Sequence, residues 1–365
     1  MEKKRINTAK WMENQKRWQI KVQKDGERRT FTSSTPGRKG QREANAKADA
    51  WLDDGIMNGS TRVNVMFGSY IEHLKLNTSK SHWRQYEGYG RNWINPNIGR
   101  LKIEKVADKH IQDILDEMQK NGLSKKTQSN VKGCFVSFIK FCRKQKATTY
   151  VPEDIVISKK AYTKEKIILQ PHDIVTLFMK DTTLLRGKEV YDIYINAYRF
   201  EVITGFRPGE VFGLKKTDIY AEIIKLSRSI NEFNEITEGK NKNAKRIIAK
   251  NNLIKKILSD QETKMKELGI ESKYVFPNAN GDHIHQTSYY KRWVKYRDFH
   301  GLSGAYPYCL RHTFVSIVKS LPEGMLKQII GHSQDMDSYG TYSHEVDGDL
   351  KLAANMIEDI FEKII

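Results

Sequence analysis

The first part of the chain alternates apolar and polar residues in the manner of a small β-sheet. Residues 18–22 have the period of a half-buried strand. Asp25-Gly26 then predicts a hairpin turn into a second strand over residues 28–33. Apolar residues recur at helical spacing farther on, at Ala44, Ala48, Trp51 and Leu52. We therefore predict a strand–strand–helix module over residues 1–58.

The middle of the chain has a helical pattern. From Met66 to Phe141 the apolar residues fall three and four positions apart. Pro96 predicts a break between two helices. The stretches 55–60 and 152–166 have the composition of linkers. The sequence therefore predicts a helical bundle over residues 61–152.

The last segment, residues 160–365, mixes helical patterns with short strands. Strand patterns occur at Ile223–Leu226 and Arg246–Ala249, on either side of a basic run at 240–245. The predicted fold class is thus multidomain α+β. It consists of a small N-terminal β-sheet-plus-helix module, a helical bundle, and a mixed, mainly helical domain with a small β-sheet.

The charge balance indicates a polyanionic partner. Lysine and arginine number 63 against 44 acidic residues, which gives a formal net charge of +19 and suits nucleic acid. A merely solvated basic surface is the alternative. No apolar run reaches the roughly 18 residues of a membrane span, and the lysine-rich start does not resemble a secretion signal. We therefore expect a cytoplasmic protein.

Four separated segments carry candidate chemistry. They are residues 204–210 (Thr-Gly-Phe-Arg-Pro-Gly-Glu), residues 239–242 (Gly-Lys-Asn-Lys), residues 308–314 (Tyr-Cys-Leu-Arg-His-Thr-Phe), and residues 331–344, which begin with Gly-His and end with Tyr-Ser-His. Taken singly, each has a simple structural explanation as a surface ion pair, a solvated turn or a helix end. Together and in this order, they resemble the motifs of the tyrosine recombinase family. The motif-level match is confined to residues 204–344, whereas the three-part organisation matches along the whole chain.

The resemblance assigns the catalytic residues Arg207, Lys240, Arg311, His332 and Tyr342. It implies that the two arginines hold a DNA phosphate, because guanidiniums stabilise the added negative charge with a fixed forked geometry. The lysine is the general acid for the departing 5′ hydroxyl, and the histidine donates a hydrogen bond to the phosphate. The tyrosine forms a phosphotyrosine that conserves the energy of the broken bond. No metal or other cofactor is implied.

Neighbouring positions refine this assignment. Tyr339 is an alternative nucleophile, but Tyr342 is favoured because the family tyrosine is followed by x-His, as Ser343-His344 follows here. Glu210 and His312 match family positions that pack or orient the catalytic groups.

One position departs from the family pattern. Tyr308 stands where the family usually has histidine. A phenol, with a reference pKa of about 10, accepts a proton poorly near neutral pH. Tyr308 is therefore expected to hydrogen-bond the phosphate or to orient Tyr342, and its assignment as a base is in doubt.

Basic residues outside the motifs are candidate DNA contacts, with a solvated surface as the alternative. They are Lys21, Lys24, Arg28 and Arg29 on the hairpin, and Lys80, Arg84, Lys125, Lys126 and Lys132 on the helical bundle.

The end of the chain carries an apolar helical stripe from Leu350 to Ile364. By the resemblance, this tail packs on a neighbouring protomer in a homotetramer on DNA. The alternative is that it docks onto its own domain.

The resemblance assigns a function to each of the three predicted domains. Residues 1–58 would be an arm-type DNA-binding module, residues 61–152 a helical core-binding domain of the SAM-like type, and residues 160–365 the catalytic domain with its tail helix. The expected function is integration and excision of a phage or other mobile element at double-stranded attachment sites, with an excisionase or other directionality factor. A type IB topoisomerase and a non-catalytic DNA-binding regulator of the same fold are the alternatives.

Overall fold

The computed structural model describes residues 7–24, 27–53, 58–238, 245–331 and 348–365. The chain divides into two compact units, Met1–Lys164 and Glu165–Ile365. Among the described residues, buried apolar side chains form two clusters in the first unit and one in the second. Within these ranges, no helix is long and apolar enough to cross a membrane.

A three-stranded antiparallel sheet opens the first unit. Its strands β1 (Lys10–Met12), β2 (Arg17–Lys24) and β3 (Glu27–Ser33) lie in that order. The helix α1 (Gly37–Asp53) contacts β2 and β3, and its Ala44, Ala48 and Leu52 are buried with Ile20 and Val22. The pattern predicted β2, β3 and α1 but missed β1. This strand is only three residues long, and Trp11 pairs with Trp18 across it.

The helical pattern of residues 61–152 forms a bundle. Its helices are α2 (Val63–Asn77), α3 (Lys80–Tyr89), α4 (Asn95–Ile98), α5 (Asp108–Lys120) and α6 (Lys125–Lys144). Phe67, Tyr70 and Phe138 pack against one another in its core. The predicted break at Pro96 was wrong, because a π-helical turn (Gly90–Ile94) connects α3 to α4. Pro96 lies in the first turn of α4, directly after this π-helical turn.

The second unit is mainly helical with short antiparallel strand pairs. Its helices are α7 (Pro171–Met179), α8 (Ile195–Thr204), α9 (Pro208–Gly213), α10 (Asn252–Glu267), α11 (Gln286–Phe299), α12 (Pro307–Ile317), α13 (Glu323–Ile330) and the C-terminal helix (Asp349–Glu362). The strand pairs are β4 (Thr182–Leu185) with β5 (Lys188–Tyr191), β6 (Ile223–Leu226) with β9 (Arg246–Ala249), and β7 (Ser229–Ile230) with β8 (Ile236–Thr237). The predicted fold class is confirmed.

The central element of this unit is α8. Every residue of α8 is buried, because α7, α10 and α12 contact it. A helix buried on all sides has to carry its polar residues inside the core, and α8 carries Arg199 and Glu201 there. The last residues of α8 lead into the first predicted motif.

The C-terminal helix packs on its own unit. Ile357 and Phe361 are buried in the core of residues 165–365. The Glu358 carboxylate accepts a hydrogen bond from the Asn252 backbone N–H at 2.9 Å, and the Asn251 side chain donates to the Ala354 carbonyl at 3.1 Å. The single chain therefore shows docking onto its own domain, and packing on a neighbouring protomer stays a prediction.

Candidate active site

A tight turn between α8 and α9 presents Arg207. Gly205 ends α8 with φ +65°, a left-handed conformation that glycine adopts without strain. Arg207 is the N-cap of α9, and Pro208 follows in its first turn. The Glu210 carboxylate closes this turn, because it accepts hydrogen bonds from the Arg207 backbone N–H at 2.9 Å and from Arg207 Nη1 at 2.8 Å. The guanidinium of Arg207 is thus fixed while its side chain stays 24% exposed.

The second arginine of the motifs, Arg311, is buried on α12 and only 3% exposed. Its Nη1 donates to the Gly205 carbonyl at 2.6 Å, although the two residues are 106 positions apart. Its Nη2 donates to the Ile330 carbonyl at the end of α13, also at 2.6 Å. Arg311 therefore connects the turn that carries Arg207 with the helix end that leads to His332.

The charges of the two arginines act on each other. Burial lowers the pKa of Arg311 to about 10, and the positive charge of Arg207 contributes second, against an opposing effect of Glu210. Like charges lower a cation's pKa because each disfavours the charged form of the other. An anion between them would remove this repulsion, and the oxygens of a phosphodiester match the forked donors of guanidinium groups. The site is electrostatically arranged to receive a phosphate.

Two buried carboxyl groups near Arg311 differ in charge. Burial raises the pKa of Glu210, but the charges and hydrogen bonds of Arg246 and Arg207 outweigh burial and leave that pKa below its ordinary value. Glu201 on α8 accepts a hydrogen bond from the Tyr289 hydroxyl at 2.9 Å. Burial raises the pKa of Glu201 well above its ordinary value, which favours the neutral acid. The cluster therefore keeps an excess of positive charge.

Sequence reasoning missed Arg246, which the structure adds to the site. Its Nη1 and Nη2 donate to the two oxygens of Glu210 at 3.2 and 3.0 Å, and its Nε donates to the Ile329 carbonyl at 2.5 Å. A signal was present in the strand pattern. Arg246 is two positions before the buried Ile248, so both side chains lie on the buried face of the strand. A charged group at such a position requires a buried partner.

Comparison with known proteins agrees with this geometry. Residues 168–348 match the model of the phage integrase family, and residues 65–119 match that of the phage integrase N-terminal SAM-like domain. A tyrosine recombinase XerC-like protein of Caldanaerobacter subterraneus subsp. tengcongensis is 22% identical over 368 residues, covering 88% of this chain and 90% of that protein. The chain belongs to the tyrosine recombinase family. It is a site-specific DNA recombinase.

Solved structures agree on the fold of this recombinase. The Tn1549 transposon integrase in complex with a circular intermediate DNA matches with a TM-score of 0.65 and 21% identity, covering 81% of this chain and 99% of that chain. A lambda integrase dimer bound to a COC′ core site matches with a TM-score of 0.60 and 13% identity, covering 93% and 97%. At these identities the likeness concerns the fold alone.

Other residues of the third motif lie beside the arginines. Tyr308, at the second position of α12, is 50% exposed, and it contributes to the electrostatic surroundings of Arg311. Its ring packs edge to face against His312, with 5.3 Å between ring centroids. Burial lowers the pKa of His312, and the charges of Lys166 and Arg311 lower it further. His312 is half-buried, in agreement with a packing position.

Three predicted catalytic residues, Lys240, His332 and Tyr342, lie outside the residues that the structure describes, as does the alternative nucleophile Tyr339. The structure does describe segments next to them. The strand β9 begins six positions after Lys240, and α13 ends two positions before His332. Arg246 is the first residue of β9, and Arg246 and Arg311 both donate to backbone carbonyls at the end of α13.

The N-terminal sheet separates the predicted DNA contacts by face. Lys21 pairs with Thr30, and Arg28 pairs with Gln23, so Lys21 and Arg28 lie on the exposed face opposite α1. Arg29 lies on the other face, where its guanidinium is 5.5 Å from the centroid of a Trp51 ring. The side chain of Lys24 lies outside the described residues.

The predicted contacts on the bundle differ in their surroundings. Lys125 and Lys126 are exposed at the start of α6. Lys132 is half-buried, and its Nζ donates to the Ile155 carbonyl at 2.5 Å, which is a structural contact. The guanidinium of Arg84 is 5.6 Å from the centroid of the neighbouring Trp83 ring, and Lys80 is half-buried at the start of α3.

Proposed function

We propose that this recombinase cleaves DNA by attack of the Tyr342 hydroxyl on a backbone phosphate held by Arg207 and Arg311. The tyrosine hydroxyl gives its proton to water and its oxygen forms a bond to phosphorus as the bond to the 5′ oxygen breaks, leaving a 3′-phosphotyrosine. Lys240 protonates the departing 5′ oxygen, and His332 donates a hydrogen bond to the phosphate. A 5′ hydroxyl from another strand then attacks the phosphotyrosine and releases the tyrosine. No external energy source is needed, because each step exchanges one phosphate ester for another.

One observation carries this proposal. Arg311 donates a hydrogen bond to the carbonyl of Gly205, two residues before Arg207, and the positive charge of Arg207 lowers the pKa of Arg311. Two preorganised guanidiniums in a largely buried place favour a pentavalent phosphate with added negative charge over the ground state. Loss of one such donor costs on the order of a hundredfold to a thousandfold in rate. The exposed Tyr308 hydroxyl supplies a further hydrogen bond to the phosphate or orients Tyr342.

The substrate we propose is a double-stranded attachment site, recombined during integration and excision of a phage or mobile element in a bacterial cytoplasm. The bundle at 61–152 and the catalytic domain at 160–365 bind the core site. The N-terminal module, residues 1–58, binds accessory sites through the sheet face that carries Lys21 and Arg28. The contacts of Lys125 and Lys126 with the phosphate backbone would be independent of sequence. An excisionase or other directionality factor sets the direction of the reaction.

A covalent-capture experiment tests the catalytic proposal without knowledge of the site. The full chain is incubated with a pool of nicked duplexes that have a randomised central segment, and covalent protein–DNA adducts are isolated and sequenced. The nick lets the short cleaved strand diffuse away, so that the adduct accumulates. We expect a defined sequence to be enriched, no adduct with Tyr342→Phe, and adduct formation with Tyr339→Phe. An adduct retained by Tyr342→Phe and lost in Tyr339→Phe would move the nucleophile to Tyr339.

We also propose that the active assembly is a homotetramer in which the C-terminal helix exchanges between protomers. This helix presents apolar residues, including Ile357 and Phe361, that dock on the chain's own domain when it is alone. Truncation after Gly348 should therefore weaken assembly of several protomers on the captured duplex more than binding of one. Native gel shifts measure both species, and an unchanged multimeric complex would refute the exchange.

A further inference from the structure

Arg246 connects three parts of the active site. Its guanidinium binds Glu210 of the first motif, it lies on β9 just after the segment with Lys240, and it binds the end of α13 just before His332. We propose that Arg246 is a positioning residue for DNA cleavage, which sets the orientation of Arg207 through Glu210. This inference rests on the proposed function.

The contact with Glu210 is a forked ion pair between buried groups. The two terminal nitrogens of Arg246 contact the two carboxylate oxygens at 3.2 and 3.0 Å, and the side chains are only 5% and 3% exposed. The same carboxylate binds both the backbone N–H and the Nη1 of Arg207. Arg246 therefore fixes the plane of the carboxylate that holds Arg207, and lysine, with a single nitrogen, cannot reproduce this fork.

Arg246 also shares the end of α13 with Arg311. Arg246 donates a hydrogen bond to the Ile329 carbonyl, and Arg311 donates one to the carbonyl of the next residue, Ile330. These are carbonyls of the last helical turn, which have no partner within the helix and attract positive charge. The centroid of the Phe206 ring lies 5.0 Å from the guanidinium of Arg246. The position of Arg246 is thus determined by independent contacts.

Replacement of Arg246 should mainly reduce the rate of cleavage. Without it, Glu210 stays buried with Arg207 as the cation that still hydrogen-bonds it, and the pair can rotate together away from the phosphate. Displacement of a catalytic group by about 1 Å costs on the order of a hundredfold in rate. DNA binding, which depends on many contacts across two units, should change little.

Arg199 provides a matched control in the same unit. It is also a buried arginine that binds helix-terminal carbonyls, those of Leu177 and Phe178, and a carboxylate, that of Asp181. A phenylalanine ring, Phe178, lies 5.8 Å from its guanidinium. Arg199→Met therefore removes the same kinds of contact without touching Glu210 or α13, although its partner Asp181 is 53% exposed. It reports the effect of lost stability, which the measured folded fraction corrects for in each variant.

The experiment measures single-turnover adduct formation by the full chain on the duplex captured with the wild-type protein. Thermal unfolding gives the folded fraction, and gel shifts give the Kd. At equal folded fraction we expect Arg246→Met to cleave about a hundredfold more slowly than Arg199→Met, with Kd within about twofold of wild type. Glu210→Gln should resemble Arg246→Met, and Arg246→Lys should recover part of the rate.

A double variant separates positioning from an independent effect. If Arg246 acts through Arg207, adding Arg246→Met to Arg207→Ala should slow cleavage less than threefold further, rather than a hundredfold. Multiplication of the two losses, or equal rates for Arg246→Met and Arg199→Met, would overturn the inference. If the wild-type chain itself forms no Tyr342-dependent adduct, the proposed function fails, and this is seen before any Arg246 variant is compared.

Discussion

Replacement of Gly205 by alanine should reduce both the stability of the fold and the activity of the candidate site. The φ of Gly205, +65°, is a conformation that costs other residues roughly 1–2 kcal/mol. A Cβ there would lie 2.4 Å from the Cδ1 atom of Phe314, whose ring is fully buried on α12. Overpacking of this kind costs about 1–3 kcal/mol. Alanine also restricts the unfolded chain, which returns about 0.4–1 kcal/mol. We expect Gly205→Ala to lower the free energy of unfolding by about 2–4 kcal/mol.

Gly269 is the matched control for this change. It follows α10 with φ +64°, and a Cβ there would meet no atom within 4 Å. Gly269→Ala therefore carries only the conformational cost, about 1 kcal/mol after the unfolded-state term. Urea titration of the full chain, read by pulse proteolysis of the C-terminal unit, gives both values. Equal losses for the two variants would refute the steric argument.

The clash in Gly205→Ala should also slow cleavage. Phe314 lies three residues after Arg311 on α12, so relief of the clash would move that helix, and with it Arg311, away from residue 205. A smaller side chain should relieve the strain. In a Phe314→Leu background, the cost of Gly205→Ala should fall to about the value for Gly269→Ala. A cost that stays the same in this background would place its origin elsewhere.

Further predictions concern charge. Because burial raises the pKa of Glu201, the folded chain holds its proton where the unfolded chain has lost it, so stability should fall as pH rises above about 4.5. Urea titrations should give a flatter dependence from pH 5 to 8 for Glu201→Gln. The double variant Lys21→Ala with Arg28→Ala should reduce the salt slope of DNA binding by about 2, while Arg29→Ala leaves it unchanged. Tyr308→Phe should slow adduct formation about tenfold and Tyr308→His should retain it, whereas equal rates for phenylalanine and wild type would show that the hydroxyl is idle.

Local patterns predicted the elements well where a short range of sequence decides the structure. The alternation over residues 18–22 predicted β2, and the spacing from Met66 to Phe141 predicted the bundle. The turn at Arg207 was also recognisable, because Gly205 permits a left-handed backbone and Pro208 fixes φ at a value that suits the start of a helix. A three-residue strand such as β1 carries too little pattern to be seen, since its pairing partner determines it.

Contacts between distant segments could not be predicted from such patterns. The bond from Arg246 to the Ile329 carbonyl joins residues 83 positions apart, and its existence depends on how α13 packs on β9. The face of the sheet on which Arg29 lies could have been predicted from the sequence. Arg29 is two positions before the half-buried Phe31, so both side chains lie on the same face of the strand. Counting basic residues along the hairpin ignored this alternation of faces.

The arginine cluster shows how the free protein is prepared for its substrate. Arg207, Arg246 and Arg311 share one charged carboxylate, that of Glu210, among the interactions described at the site. Burial and the charge of Arg207 lower the pKa of Arg311 to about 10, so its charged form is held at a cost in free energy. Carbonyl groups hold Arg311 in place despite this cost. Because the donors are already oriented, little of the site has to reorganise when a phosphate binds. The positive charges that repel one another in the free protein then stabilise the negative charge of the transition state.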